Sequence, residues 1–184
     1  MKDCIYTYSK IRVNTLDPNP DDILIEDIAH ALSMLTRANG HFPQFFSVAQ
    51  HSLQCAREAI ARHYVPRLCM ACLLHDACEA FLSDITRPVK RNMTMYLQIE
   101  ECWQNSIYLK FVGEIPKGEE QVLLKNIDDA CLYYEFKHFM GEEMFAKAPV
   151  MMSNPSYEYQ PMQEVEEEFL DLYRELLQQI EENE

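Results

Sequence analysis

Glycine and positive charge are the two features that this chain has little of. Only 4 of its 184 residues are glycine, which argues against turn-rich sandwiches and barrels and against a glycine-rich phosphate loop. Sixteen lysines and arginines stand against 30 aspartates and glutamates, giving a net charge of −14. A chain this acidic is a poor general binder of nucleic-acid polymers or anionic membranes. An anionic ligand would therefore have to meet a few locally placed cations.

Long apolar runs are also missing. No stretch reaches 18 uninterrupted apolar residues, so we expect no membrane span. The first ten residues, MKDCIYTYSK, are charged and lead into no apolar run, which is not typical of a secretory signal. The seven cysteines are odd in number, and most fall inside predicted helices. This pattern favours reduced thiols and a cytoplasmic protein.

The apolar residues, 48% of the chain, recur mostly at helical spacing. We therefore predict an all-α fold, a compact multi-helix bundle forming a single domain over residues 1–184. No strand pattern is evident, and residues 1–22 read as irregular. The predicted helices span about 23–36, 47–63, 66–80, 89–112, 119–140 and 161–181.

Local signals refine these boundaries. Asp21 or Asp22 can cap the first helix, and Ser47 can open the second. Gly141 suits the position just after the fifth helix, and residues 146–161, with three prolines, read as a long surface loop. The apolar stripe of the last helix covers either the chain's own core or a partner helix. We expect the methionine-rich and aromatic stretches 93–111 and 131–145 to serve as core or interface.

The sharpest chemical feature is a histidine–aspartate pair at the polar end of the third predicted helix. Placed on one helix, His75 and Asp76 point about 100° apart and can flank one point in space. Glu79 returns to the same side one turn later. Such a group of imidazole and carboxylates suits a divalent metal. Read alone, the group could equally be a solvated helix end.

Two distant residues favour the metal interpretation. His51 lies on the apolar stripe of the second predicted helix, and the helical neighbours of Asp128 are largely apolar. An inward aspartate needs a partner. His51, His75, Asp76 and Asp128 therefore form a plausible set of four ligands from three helices.

This order of residues resembles the H…HD…D signature of the HD-domain metal-dependent phosphohydrolases. The flanking strings are FSVAQHS at 46–52 and HDACEAFLSDITRPVK at 75–90. The second string is similar to the block H-D-A-x-E-x-x-x-x-D-x-x-x-P-x-K of the small 5′-deoxynucleotidase-like branch. The similarity covers about residues 23–140. It implies an all-helical fold, one divalent metal ion and hydrolysis of nucleotide phosphate esters.

Site roles follow from the resemblance position by position. It implies that His51, His75, Asp76 and Asp128 bind the metal ion, whether Mn, Co, Mg, Zn, Fe or Ni. It implies catalytic roles for Glu79 and Asp84, near the attacking water and the leaving group. It also implies that Arg37 faces phosphate. Ala38 follows this arginine, where several such enzymes have a tryptophan that helps to select the sugar.

The resemblance thus implies an enzyme that removes the 5′-phosphate of deoxynucleoside or nucleoside monophosphates. A triphosphohydrolase acting on dNTPs and a nucleotide sensor without turnover stay open as alternatives, with a di-iron oxygenase more remote. The expected partner is a small nucleotide, with no nucleic-acid polymer and no membrane. Dimers or higher assemblies occur among similar proteins, so the resemblance also implies a homo-oligomer.

Overall fold

The structure, a computed structural model, describes residues 3–183. It is all-α, with eight α-helices and one short hairpin over those residues. The helices are α1 (Ile25–Met34), α2 (Val48–Ala61), α3 (Pro66–Leu73), α4 (Glu79–Leu82), α5 (Arg87–Lys90), α6 (Thr94–Phe111), α7 (Glu119–Met140) and α8 (Met162–Glu181). Among the described residues, no helix combines the length and apolarity needed to cross a membrane.

The second helix is the centre of the bundle. Ser47 caps α2 and forms a capping box with Gln50, as the serine at this position predicts. The helix is buried on nearly all sides rather than along one stripe, which is typical of a core helix. It packs against α1, α3, α7 and α8. This central position places any functional side chain of α2 out of water.

The last helix covers the chain's own core. Val165, Phe169 and Leu176 of α8 are buried, and the helix packs against α1 and α3. The apolar stripe that the sequence left open between core and partner is therefore used within the chain. At about 25 cal/mol per Å² of apolar surface buried, each such side chain contributes roughly 1.5–3 kcal/mol to the free energy of unfolding.

The proline-containing segment before α8 lies across α2. Gln44 and Gln54 donate side-chain hydrogen bonds to the carbonyls of Tyr157 and Ser156, at 2.5 and 2.7 Å. These bonds fix residues 146–161, predicted as a loop, against the bundle. The second bond pairs the amide nitrogen of Gln54, a buried side chain of α2.

Three sequence-based boundaries were wrong. Residues 4–14 hold a two-stranded antiparallel hairpin, β1 (Cys4–Tyr6) and β2 (Arg12–Asn14), where irregular chain was expected. Asp21 and Asp22 lie in a separate 3-10 turn, and α1 begins after Leu24 without a side-chain cap. The predicted helix 89–112 divides into α5 and α6. By contrast, α7 spans the predicted range 119–140, and Gly141 ends it in the left-handed conformation.

Candidate metal and phosphate site

The histidine–aspartate pair does not lie on a helix. The expected helix 66–80 is interrupted by a turn over residues 74–78, between α3 and α4. Placing His75 and Asp76 on one helix was therefore wrong. The turn still directs both side chains to one point, because His75 Nε2 lies 3.2 Å from Asp76 Oδ2.

The imidazole rings of His51 and His75 are each oriented by a hydrogen bond at Nδ1. His51 Nδ1 lies 2.5 Å from Glu135 Oε1, and His75 Nδ1 lies 2.8 Å from the Cys72 carbonyl. Both oxygens are acceptors, so each Nδ1–H donates. The two Nε2 atoms then face each other at 3.3 Å. Metal-binding histidines are typically oriented in this way, with the second nitrogen donating to an oxygen.

The two aspartates complete a compact group of four. His51 Nε2 lies 3.3 Å from Asp128 Oδ1 and 3.8 Å from Asp76 Oδ2. His75 Nε2 lies 3.9 Å from Asp128 Oδ1. Donor atoms that share one ion at about 2.0–2.2 Å lie roughly 3–4 Å from one another. The structure thus brings together all four side chains predicted as ligands, and their spacing and chemistry fit a divalent cation.

The charges of this group are strongly coupled. Burial and the charge of Arg37 lower the pKa of His51, but Glu135 and Asp128 outweigh them and raise it to about 10. Burial would raise the pKa of Asp76, yet His75, His51 and Arg37 hold it well below its usual range. The carboxylates around His51 therefore favour positive charge at this point of the protein.

One thiol lies beside the histidines. Cys55 follows His51 by one helical turn, and its Sγ lies 3.5 Å from His51 Nε2. His51, Cys55 and His75 form a group that could hold a metal ion. Burial and the neighbouring Cys131 raise the pKa of the Cys55 thiol well above its usual range. Cys55 was not predicted as a ligand, although its i, i+4 spacing from His51 is visible in the sequence.

Arg37 lies against the same group. Its guanidinium is 3.5 Å from Asp76 Oδ2 and 3.4 Å from Glu135 Oε2, and the residue is only 8% exposed. The segment that carries Arg37 is tied back to the start of α2, because Arg37 N–H donates to the Phe46 carbonyl. The next residue, Ala38, has a φ of 52°. A non-glycine residue in this left-handed region costs about 1–2 kcal/mol, and such strain clusters at functional sites.

Glu79 and Asp84 line one cavity together with Asp76. Burial is the main cause that raises the pKa of both carboxyl groups, and the nearby charge of Asp76 adds to it. Glu79 is 3% exposed, and its Oε2 atom has no hydrogen-bond partner among residues 3–183. Two carboxyls with raised pKa values beside two with lowered ones are typical of acid–base sites.

Two further cations reach the site, and both are paired. Arg87 contacts Asp128 and lies 2.8 Å from Asp129 Oδ1. Lys90 lies 2.5 Å from Glu100 and 3.6 Å from Glu79. Both cations are therefore held by carboxylates at the site.

A cavity of about 430 Å³ opens onto these groups. Its polar end is lined by residues already described, including Arg37, Asp76, Glu79, Asp84 and Asp128. Its other end is lined by apolar side chains, among them Phe42, Leu132, Phe136 and Met144. Leu132, Phe136 and Met144 were expected only as core or interface. A second, more open groove of about 640 Å³ reaches His75 and Asp128 from the side of α6.

Glu135 is a further residue of the site that the sequence did not reveal. It is fully buried on α7 and contacts both His51 and Arg37. The available signal was its spacing, because Glu135 follows Asp128 by seven residues and so lies two helical turns further along the same face.

The comparisons with known proteins identify relatives whose names state no activity. No protein-family model matches the chain. The chain is 31% identical over 183 residues to "Uncharacterized protein RCAP_rcc00048" of Rhodobacter capsulatus, covering 92% of this chain and 93% of that protein. It is 43% identical over 84 residues to "Uncharacterized protein YfdR" of Escherichia coli (strain K12), covering 45% of this chain and 44% of that protein.

Proposed function

We propose that this chain, a member of the family of the Rhodobacter capsulatus protein, is a metal-dependent phosphohydrolase that removes the 5′-phosphate of deoxynucleoside or nucleoside monophosphates. The observation that carries the proposal is the convergence of His51, His75, Asp76 and Asp128, in which the two histidine Nε2 atoms lie 3.2–3.9 Å from each other and from the aspartate oxygens. The resemblance to HD-domain phosphohydrolases assigns the same four residues.

The proposed ligands are His51, His75, Asp76 and Asp128. When bound, a divalent ion there supplies positive charge for phosphate oxygens and lowers the pKa of an adjacent water. Asp76 and Asp128 are held as carboxylates by their neighbours, which suits them to a cation. The donor set of imidazole and carboxylate is accepted by several first-row metals, so Mn²⁺, Co²⁺ and Mg²⁺ are all worth testing.

The remaining polar side chains bind the phosphate and transfer protons in the proposed reaction. Arg37 binds the phosphate by charge-assisted hydrogen bonds, since its planar guanidinium can present two N–H groups to two oxygens. Glu79 orients the attacking water and accepts its proton, while Asp84 holds a proton for the leaving oxygen. Burial raises the pKa of both carboxyls, which brings them closer to the pH at which such transfers are efficient.

The cavity favours a monophosphate over a triphosphate. Its apolar end offers the rings of Phe42 and Phe136 to a sugar and base. Arg87 and Lys90 are each paired with two carboxylates, so few cations are free for a longer phosphate chain. The expected partner is therefore a small nucleotide. Seven free thiols also support a reducing, cytoplasmic setting.

A product assay tests the proposal. Purified protein is incubated with ribo- and deoxynucleoside mono- and triphosphates in Mn²⁺, Co²⁺ or Mg²⁺, and phosphate and nucleoside are measured. We expect inorganic phosphate and nucleoside from the monophosphates, and their loss in Asp76→Ala. Release of inorganic triphosphate from dNTPs would replace the proposal with a triphosphohydrolase. No release from any nucleotide, with Asp76→Ala indistinguishable from the wild type, would refute hydrolysis altogether.

A further inference from the structure

Glu135 occupies an unusual place in the bundle. Its side chain is fully buried on α7, with 0% exposure. Its two oxygens go to different partners: Oε1 lies 2.5 Å from His51 Nδ1, and Oε2 lies 3.4 Å from a terminal nitrogen of Arg37. Burying a carboxylate is costly unless it is paired and hydrogen-bonded. Both partners that compensate Glu135 belong to the proposed site.

The contrast with Glu58 shows that this arrangement is not a general feature of the core. Glu58 is another fully buried glutamate and is also paired with an arginine, Arg62. Its carboxylate accepts hydrogen bonds from the backbone N–H groups of Met152 and Ser153. Glu58 therefore fixes the loop before α8 onto α2, whereas Glu135 holds two side chains of the site.

The position of Glu135 separates it from the groups that touch an ion or a substrate. The His51 ring stands between Glu135 and the ligand group, because Nδ1 faces Glu135 and Nε2 faces His75 and Asp128. Glu135 is also absent from the residues that line the cavity of Arg37 and Asp76. It can therefore act only through His51 and Arg37.

We propose that Glu135 is a positioning residue that sets the metal ligand His51 and the phosphate-binding Arg37 through one carboxylate, and so links metal affinity to phosphate affinity. This inference rests on the proposed function. The hydrogen bond to Nδ1 keeps Nε2 directed at the ligand group. The second oxygen holds the guanidinium beside Asp76, where it faces the cavity.

Glu135→Gln is the diagnostic substitution, because it preserves shape. An amide has one acceptor oxygen and one donor nitrogen. His51 Nδ1–H and the Arg37 guanidinium both donate, so one of them must face the amide NH₂ group. Glu135→Asp keeps the charge and both acceptors but is shorter, and it serves as a second variant should the glutamine variant not fold. Glu58→Gln is the matched control.

The measurements need no turnover. Calorimetry gives the Kd of Mn²⁺ alone, and then of inorganic phosphate with Mn²⁺ saturating, for each folded variant. We expect Glu135→Gln to weaken Mn²⁺ about 10–100-fold and phosphate about tenfold. Glu135→Asp should lie between it and the wild type. Glu58→Gln should lower the melting temperature while both Kd values stay within about twofold of the wild type.

The outcomes separate the two proposals. If the wild type binds Mn²⁺ and phosphate and the Glu135 variants bind both as tightly as Glu58→Gln does, the positioning role of Glu135 is overturned. The proposed function then still stands. Loss of Mn²⁺ affinity alone overturns the link to Arg37. A wild type that binds neither Mn²⁺ nor phosphate overturns the proposed function itself.

Discussion

Removing one carboxylate and one thiol from the same cluster decides which side chains hold the ion. Asp128→Asn removes a negative charge whose Oδ1 lies 3.3 Å from His51 Nε2. Cys55→Ala removes a sulfur 3.5 Å from the same nitrogen. The two groups therefore flank His51 at similar distances, and only their chemistry differs.

The expected loss of metal affinity in each variant depends on the charge of the side chain that is removed. His51 and His75 hold the pKa of Asp128 below its usual range against the effect of burial, so its charge is present at pH 7. Removing a residue that hydrogen-bonds to a metal ligand typically costs 10–100-fold in metal affinity. Losing a ligand should cost at least about 100-fold, or about 2.7 kcal/mol. Burial raises the pKa of the Cys55 thiol, which opposes the thiolate that a metal ligand needs, so Cys55→Ala should change affinity less than about threefold while costing roughly 1 kcal/mol of folding stability.

Calorimetry with Mn²⁺ on both variants, with thermal unfolding as a check on folding, provides the assay. Equal losses of affinity in Asp128→Asn and Cys55→Ala would show that the thiol is a ligand. A loss in Cys55→Ala alone would refute the carboxylate ligand set and favour a His51–Cys55–His75 site.

Three further predictions concern neighbouring groups. Glu79→Gln should lower hydrolysis at least about 100-fold yet raise the free energy of unfolding at pH 7 by about 1 kcal/mol. Burial raises the pKa of Glu79, so its ionised carboxylate disfavours folding at pH 7, and the gain in stability should vanish in unfolding curves near pH 4, where the carboxyl is protonated in both states. A loss of stability at pH 7 would contradict this. Arg37→Lys should raise the KM for nucleotide about tenfold or more in steady-state kinetics, and an unchanged KM would remove Arg37 from the phosphate site. Burial would raise the pKa of Glu58, but hydrogen bonds from Ser153 and Met152 outweigh burial and lower it. The stability lost in Glu58→Gln should therefore be largest near pH 7 and shrink as pH falls below about 4.5. A constant difference in stability down to about pH 3 would argue against a charged Glu58.

The sequence predicted several long helices because these depend on local patterns, whereas the convergence of the four ligands was predicted from inward-facing positions and from the resemblance to HD-domain proteins. Helical spacing and a terminal glycine define α7, and Ser47 defines the start of α2. The three-residue strands of the hairpin are too short to show a period of two. No glycine or proline marks the turn over residues 74–78, so the sequence carries no local signal that the helix ends there.

The missed residues share a physical reason. Helical spacing shows which face Cys55 and Glu135 occupy, but not which side chain of another helix meets them there. The bond from Glu135 to Arg37 joins residues 98 positions apart, and no local pattern encodes such a pairing. The same holds for Phe136 and Met144, which are apolar in sequence whether they fill the core or line a cavity.

The central claim is that side chains distant along the chain share one cation, and a crystal soaked with Mn²⁺ tests it most directly. We predict a single anomalous-scattering peak within about 2.0–2.3 Å of His51 Nε2, His75 Nε2, Asp76 and Asp128. A peak bound by Cys55 with both aspartates turned away, or no peak among these residues, would contradict the account.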